Sequence, residues 1–511
     1  MQQIDFGTIV AFSLYFLILI GIGLYHYKKK QDLEGFVLGG RKLGPWVTSM
    51  SAEASDMSGW MLMGLPGYAY LAGVSAFWIA LGLALGTWAN WAFIAKRLRI
   101  HTKVASDSIT LPDFFENRFH DHSKKLRILS AIFIFIFFLI YTSASFVAGG
   151  KLFNTVFGLP YLESLLITAG IVVFYTFFGG FTAVCWSDFF QGCLMFFAII
   201  VVPLTGMYYL GGVSKTISDL VTINHNYFSM FTDATGTTLS LTAIISLLAW
   251  GLGYFGQPHI LVRFMAINSP REIKQATRIA MVWVVFSLAA AVISGLVGRV
   301  YLGDQLVGAN SETVFMVMNG AFYSPFFASI IISAILGAIM STSSSQLLVT
   351  SSAVTTDFYK TLLRKHAGPQ EMVLVSRLMV ILVAALSILL ALNPNSLILD
   401  IVAYAWAGFG AAFGPLIILS LFWRRITLNG ALAGVLVGGL TVLLWKNFLA
   451  FTGLYEIVPG FFFSLLSIIL VSLADQEPSA QIYAEFDEAN QMICGTDDDC
   501  DAAEAAKDLT R

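Results

Sequence analysis

Thirteen stretches of this chain are each apolar and long enough to cross a bilayer, and no other feature constrains its fold as much. A spanning helix needs about 20 predominantly apolar residues, because every backbone amide and carbonyl must be satisfied inside the segment. The stretches fall at roughly residues 6–26, 43–72, 75–95, 128–150, 160–179, 187–211, 239–260, 279–302, 321–356, 372–392, 398–422, 429–448 and 456–474. Composition agrees, with 57% hydrophobic and 12% charged residues, against about 25% charged in soluble domains. The expected fold is an all-α polytopic membrane bundle. A net charge of −2 supplies no field that would draw nucleic acid. The first apolar run lacks a preceding basic segment and a small-residue cleavage site, so it is expected to stay as a helix.

The distribution of charge supports the count independently. Cytoplasmic loops of membrane proteins are enriched in Lys and Arg. With the N-terminus outside, all 29 basic residues except Lys151, Lys215, Arg299 and Lys446 fall on cytoplasmic connections or the C-terminal tail. Omitting one helix would invert every later loop and destroy this asymmetry. The expected placement is a bacterial inner membrane, with the C-terminus in the cytoplasm. Expected boundaries are 1–42 for the first helix and loop, 43–211 and 212–425 for two repeat units, 426–474 for two further helices, and 475–511 for an acidic tail. That tail, with Asp497, Asp498, Asp499 and Asp501 in one run, reads as solvated and partly disordered.

Two of the stretches are unusually polar for membrane helices. The second contains Ser51-Ala-Glu-Ala-Ser-Asp-Met-Ser-Gly-Trp60 followed by Gly64-Leu-Pro-Gly67, and the seventh contains Trp250-Gly-Leu-Gly-Tyr-Phe-Gly-Gln-Pro-His259. Gly and Pro loosen the backbone ladder, and the freed groups need partners: other helices, ions or solute. The two lie five helices apart. Five is odd, so a second five-helix unit would run opposite to the first. Paired interruptions in such halves point to a transporter binding site, while simple glycine-mediated helix packing is the plainer alternative. Asp56 accompanies one interruption, and an ionisable residue inside a membrane is functional by default. A third polar cluster lies in the ninth stretch. There Ala338, Ser341 and Thr342 share a helix face, and their oxygens suit a hard cation. Hydroxyls that bond back to their own helix are the alternative.

At these motifs the chain resembles the solute:sodium symporter family, and within it the sodium/proline symporters. The resemblance rests on Ala54-Ser-Asp-Met-Ser-Gly-Trp60, Met63-Gly-Leu-Pro-Gly67, the 250–259 segment, Met340-Ser-Thr342 and Tyr404-Ala-Trp-Ala-Gly-Phe-Gly-Ala-Ala-Phe-Gly-Pro415. Leu38-Gly-Gly-Arg41 and Gly453-Leu-Tyr-Glu-Ile-Val-Pro-Gly460 also match, so it runs from about residue 30 to about 475. It implies thirteen helices with the five-plus-five inverted-repeat core of the leucine-transporter fold. It further implies Na+ as coupling ion, no organic cofactor, and L-proline as solute. By this resemblance Na+ is held by backbone oxygens of Ala54 and Met57, the Ala338 carbonyl, and the Ser341 and Thr342 hydroxyls. Na+ binding depends on Asp56, while Ser58 and Gly59 lie near the solute. Tyr141, Trp250, Tyr254 and Pro258 match lining residues of the pocket, and Arg41 and Asp188 match functional charges near the cytoplasmic side. The two are expected to share a polar network that holds the inner gate shut.

Glu53 departs from the family pattern, which has a small residue there. Ten residues of helix beyond Leu43 place it about 15 Å deep, near mid-membrane. It reads either as a hydrogen-bonded carboxyl packed against a neighbouring helix or as a group that tunes Na+ binding or serves a second cation site. The same fold carrying another small solute is the nearest alternative. An ion channel or receptor is more remote, since the short tail offers no signalling domain. An enzyme would need a nucleophile with its base or a metal cluster, and the seven His residues and four Cys (Cys185, Cys193, Cys494 and Cys500) form no such grouping.

Overall fold

In a computed structural model, residues 5–27, 33–364 and 366–495 are described. Lys28–Lys30, Lys365, Cys500 and the acidic run at 497–501 lie outside them. All regular structure among the described residues is helical, with only isolated bridges besides. Among the described residues, ten helical runs are long and apolar enough to cross a membrane, and two shorter apolar helices accompany them, Tyr161–Phe177 and Leu241–Gly256. The chain is a multi-pass membrane protein. Length and apolarity alone do not yield thirteen, because the backbone breaks several of the expected stretches. Pro45–Asp56 is only 12 residues long, and the run Trp60–Val104 turns back on itself through Gly73–Ala76, where Gly73 takes a φ of 76°.

The expected breaks are present. The first polar stretch is helical over Pro45–Asp56, leaves the helix at Met57 (φ −82°, ψ 76°), and resumes before Leu65–Ala72. The second changes from the α-helix Leu241–Leu248 to a tighter 3₁₀ segment, Ala249–Gly256. It then restarts at Pro258, the first residue of Pro258–Ala266, where a missing N–H costs nothing. The serine-rich stretch differs: Pro325–Ser352 is one continuous α-helix, followed by a π-helical extension to Leu363. The fifth and sixth stretches are joined directly, Tyr161–Tyr209 bending only at Gly180 (φ 68°, ψ 173°). Outward-facing Leu17, Leu24, Phe174 and Phe197 stand exposed, as lipid-facing side chains must.

The described part of the tail departs from the expectation of a solvated segment, while residues 496–511 lie outside the described residues. Ala480–Cys494 is a helix capped by the Ser479 hydroxyl, and it buries Ile482, Phe486, Ala489 and Ile493 along one face. Ala489 and Ile493 pack with Ile100 of Lys96–Val104. Polar contacts flank this seam: Arg97 donates to Asn490 at 2.9 Å, and His120 meets Glu485 at 2.9 Å. Cys185, Cys193 and Cys494 are free. The four basic residues that fell outside the cytoplasmic set each lie beside a carboxylate: Lys151 by Glu312, Lys215 by Asp219, Arg299 by Asp304 and Lys446 by Glu456.

Candidate functional site

The two broken helices meet across the middle of the bundle. Asp56, the last helical residue before the first break, is fully buried, and its Oδ2 accepts a 2.7 Å hydrogen bond from the Tyr254 hydroxyl on the second broken helix. The Asp56 carbonyl, released from the helix ladder, accepts from the Ser58 amide (2.9 Å), the Trp60 indole (3.1 Å) and the Tyr141 hydroxyl (3.1 Å). Freed backbone groups have thus found partners within the protein, as buried polar groups must. Gly59 sits where a Cβ would come within 2.7 Å of the Ala148 side chain, so only glycine lets the break press against Lys125–Phe157.

Aromatic side chains wall the other side. The Trp250 ring lies 6.4 Å from Trp60 and 5.7 Å from Tyr455. Trp406 donates its indole N–H to the Trp250 carbonyl at 2.7 Å, and its ring meets Tyr254 edge-on at 5.0 Å. A Cβ at Gly253 would fall 1.9 Å from that indole nitrogen, so glycine there is a condition of the contact. Ser58, Gly59, Tyr141, Trp250 and Tyr254 are thereby gathered around one point. Pro258 stands apart, lining a cleft with Val37, Ile134, Val262 and Leu348.

On the opposite flank of the first broken helix, oxygens converge. The Ser341 hydroxyl lies 2.7 Å from the Ala54 carbonyl and 3.2 Å from the Ala338 carbonyl, and the Thr342 hydroxyl lies 3.5 Å from the Ala54 carbonyl. Two carbonyls and two hydroxyls from two helices make an all-oxygen cluster of the kind a hard monovalent cation takes. Met57 is buried at the break itself.

Arg41 and Asp188, expected in one polar network, each have partners of their own. Asp188 accepts from Ser51 (2.7 Å) and pairs with Arg263 (3.1 Å). Arg263 also donates to the His259 carbonyl and to Ser345 (2.5 Å). With a further bond to the Ser51 hydroxyl at 3.1 Å, this one buried guanidinium joins four helical segments. Arg41 instead pairs with Asp107 at 3.0 Å and donates to the carbonyls of Met265 and Ser108, each at 2.8 Å. By sequence Arg263 falls among the basic residues of a cytoplasmic connection. Its place five residues after Pro258, on a resumed helix, is the signal that could have put it inside. Glu53 is buried, and its Oε1 accepts from the Trp91 indole at 2.9 Å.

A sequence profile of the sodium:solute symporter family matches residues 36–438. The chain is 49% identical over 468 residues to the high-affinity proline transporter PutP of Bacillus subtilis, covering 91% of this chain and 98% of that one. It is 48% identical over 494 residues to the sodium/proline symporter of Escherichia coli, covering 96% and 97%. Among solved structures, a Na+-coupled sialic acid symporter in a substrate-bound outward-open state superposes with a TM-score of 0.76, over 93% of this chain and 100% of that chain. At 18% identity that likeness speaks for the fold alone. Sequence and architecture together establish that this chain belongs to the sodium:solute symporter family.

Proposed function

We propose that this chain couples inward Na+ movement to uptake of L-proline by alternating access. As a member of its family it is a transporter, not an enzyme. One observation carries the substrate assignment: identity of 48–49% over more than nine-tenths of the chain to two transporters named for proline. The geometry fits that solute. Proline is a zwitterion with a compact apolar ring. Its carboxylate suits backbone amides at a helix break, and its ring suits the walls formed by Trp250, Tyr254 and Tyr141. Ser58 and Gly59 lie at that break. Pro258 would complete the lining from the cleft side as the second broken helix moves.

The Na+ site of this reading comprises the carbonyls of Ala54, Met57 and Ala338 with the hydroxyls of Ser341 and Thr342. A bound ion would tie Pro45–Asp56 to Pro325–Ser352. Asp56 fixes the loosened backbone beside these ligands through Tyr254. Na+ thereby favours the conformation that accepts solute, and the coupling is a difference in affinity between two states. Arg41 and the Asp188–Arg263 pair would brace the inner side through two separate networks. No organic cofactor enters.

The same reading takes the bundle as thirteen spans with a five-plus-five inverted repeat, in a bacterial cytoplasmic membrane, N-terminus out and C-terminus in. Its support is that Trp60–Val104 folds into two spans at Gly73–Ala76, and that Tyr161–Phe177 and Leu241–Gly256 add two more to the ten long runs. Counterflow of labelled proline in proteoliposomes tests the function. Accumulation that requires both Na+ and internal proline is expected; accumulation that ignores Na+ would refute it.

A further inference from the structure

The helix Phe6–Tyr27 supplies no residue to either proposed site, yet it is hydrogen-bonded to a helix that does. Its buried residues Thr8, Ala11, Tyr15 and Leu19 recur every three or four positions and form one stripe. Both polar members of that stripe reach Pro325–Ser352. Thr8 accepts a hydrogen bond from the Ser329 hydroxyl at 3.0 Å, and Tyr15 donates its hydroxyl to the Met340 sulfur at 3.6 Å. The Tyr15 hydroxyl in turn accepts from the Gln191 side-chain amide at 2.9 Å. Tyr15, Gln191 and Met340 are at most 4% exposed, so water does not compete for these bonds.

This network lies directly behind the oxygen cluster. Met340 immediately precedes Ser341, and Gly337 immediately precedes Ala338. Successive helix residues point about 100° apart, so Met340 can be held from behind while Ser341 faces Ala54. A Cβ on Gly337 would stand 3.3 Å from the Gln191 side chain and 3.5 Å from the Tyr15 hydroxyl. Both groups therefore pack on the bare backbone of the turn that carries the ligands. The next residue, Gly192, adjoins the other ligand helix: a Cβ there would stand 3.3 Å from the Ala54 side chain. Gln191 and Gly192 thus sit between the two helices whose oxygens converge.

We propose that Tyr15 is a positioning residue for the Na+ site, fixing residues 337–342 against Ala54 through Met340 and Gln191. This rests on the ion site proposed above and names a residue that touches neither ion nor solute. Ligands of a cation must be held to a fraction of an ångström, and the partners behind them do that holding. A phenol suits the role because its hydroxyl donates to one neighbour while accepting from another.

The test is equilibrium binding of labelled proline to the purified full-length protein across a Na+ titration, with Tyr15→Phe, Met340→Leu and the double variant. Each single change nearly conserves volume and removes one end of the hydrogen bond. Each should raise the Na+ midpoint about two- to tenfold, the span of one neutral hydrogen bond, and leave proline affinity at saturating Na+ unchanged. The double variant should shift no further than the larger single shift, because the same bond is lost in all three. An unmoved midpoint in either single variant, or shifts that add in the double, would overturn the proposal. A merely structural Tyr15 would lower the yield of folded protein without moving the midpoint of what remains. Should one single variant not fold, the other decides alone. Thr342→Ala is the control: if its midpoint is also unmoved, the ion site itself is misplaced, whereas a shift in Thr342→Ala alone overturns only the role of Tyr15.

Discussion

The two broken helices occupy matching places in the chain but are broken differently and furnished differently. The first loses its ladder abruptly at Met57 and carries Glu53 and Asp56 within one turn of the break. The second tightens gradually through Ala249–Gly256 and restarts on a proline, with no ionisable side chain other than Tyr254 between Trp250 and Pro258. The abrupt break frees carbonyl oxygens and sets them beside carboxylates, which suits cations. The gradual one presents glycine backbone and aromatic rings, which suits an apolar ring. On the proposed reading the two breaks thus divide the labour: the first offers backbone oxygens to the ion site it shares with Ser341 and Thr342, the second offers aromatic walls to the solute, and the Asp56–Tyr254 hydrogen bond joins them.

If that division holds, Asp56 is where damage should be greatest. Asp56→Ala removes both the shared hydrogen bond and the charge, and uptake should fall to near background at ordinary Na+ with the protein still present in the membrane. Asp56→Glu should recover measurable uptake only at raised Na+. Wild-type Na+ dependence in the alanine variant would break the comparison. Next is Thr342. Loss of an oxygen bound to a charged group costs about 1.5–3 kcal/mol, so Thr342→Ala should raise the Na+ concentration for half-maximal uptake on the order of tenfold or more, while Thr342→Ser stays close to wild type. Equal shifts in the two would point to packing alone. The smallest effect belongs to neither half. Phe486→Ala should release the tail helix to protease, since truncating a buried Phe costs about 3–5 kcal/mol. Uptake should change by less than about twofold, because that helix packs on Lys96–Val104; a large loss would show that the tail takes part in gating.

Much of this was legible in the residues because membrane helices announce themselves. Long apolar runs, the Lys and Arg asymmetry and the dense Gly, Ser and Asp of two stretches all report constraints that the bilayer imposes directly. The convergence of Ala54 with Ser341 and Thr342 was legible on one side only: spacing placed Ala338, Ser341 and Thr342 on one face, and the partner came from resemblance. What stayed hidden were partners chosen by tertiary packing. Arg263 lies where a loop cation is expected, yet the helix restart at Pro258 carries it inward to Asp188. Trp91 gave no sign, being an aromatic in an apolar run. The tail helix was missed because its acidic composition masked the spacing of Ile482, Phe486, Ala489 and Ile493, a seam narrow enough to leave most of the helix polar.

The division of labour is tested most directly by equilibrium binding of labelled proline to purified protein across a Na+ titration, comparing Thr342→Ala with Trp406→Phe. Trp406→Phe removes the indole donor to the Trp250 carbonyl, a bond worth about 0.5–1.5 kcal/mol net. The account predicts that Trp406→Phe weakens proline binding several-fold at every Na+ concentration while the Na+ midpoint stays put. Thr342→Ala should shift the Na+ midpoint upward and restore near-wild-type proline affinity at saturating Na+. Identical behaviour of the two variants, each moving both quantities together, would contradict it.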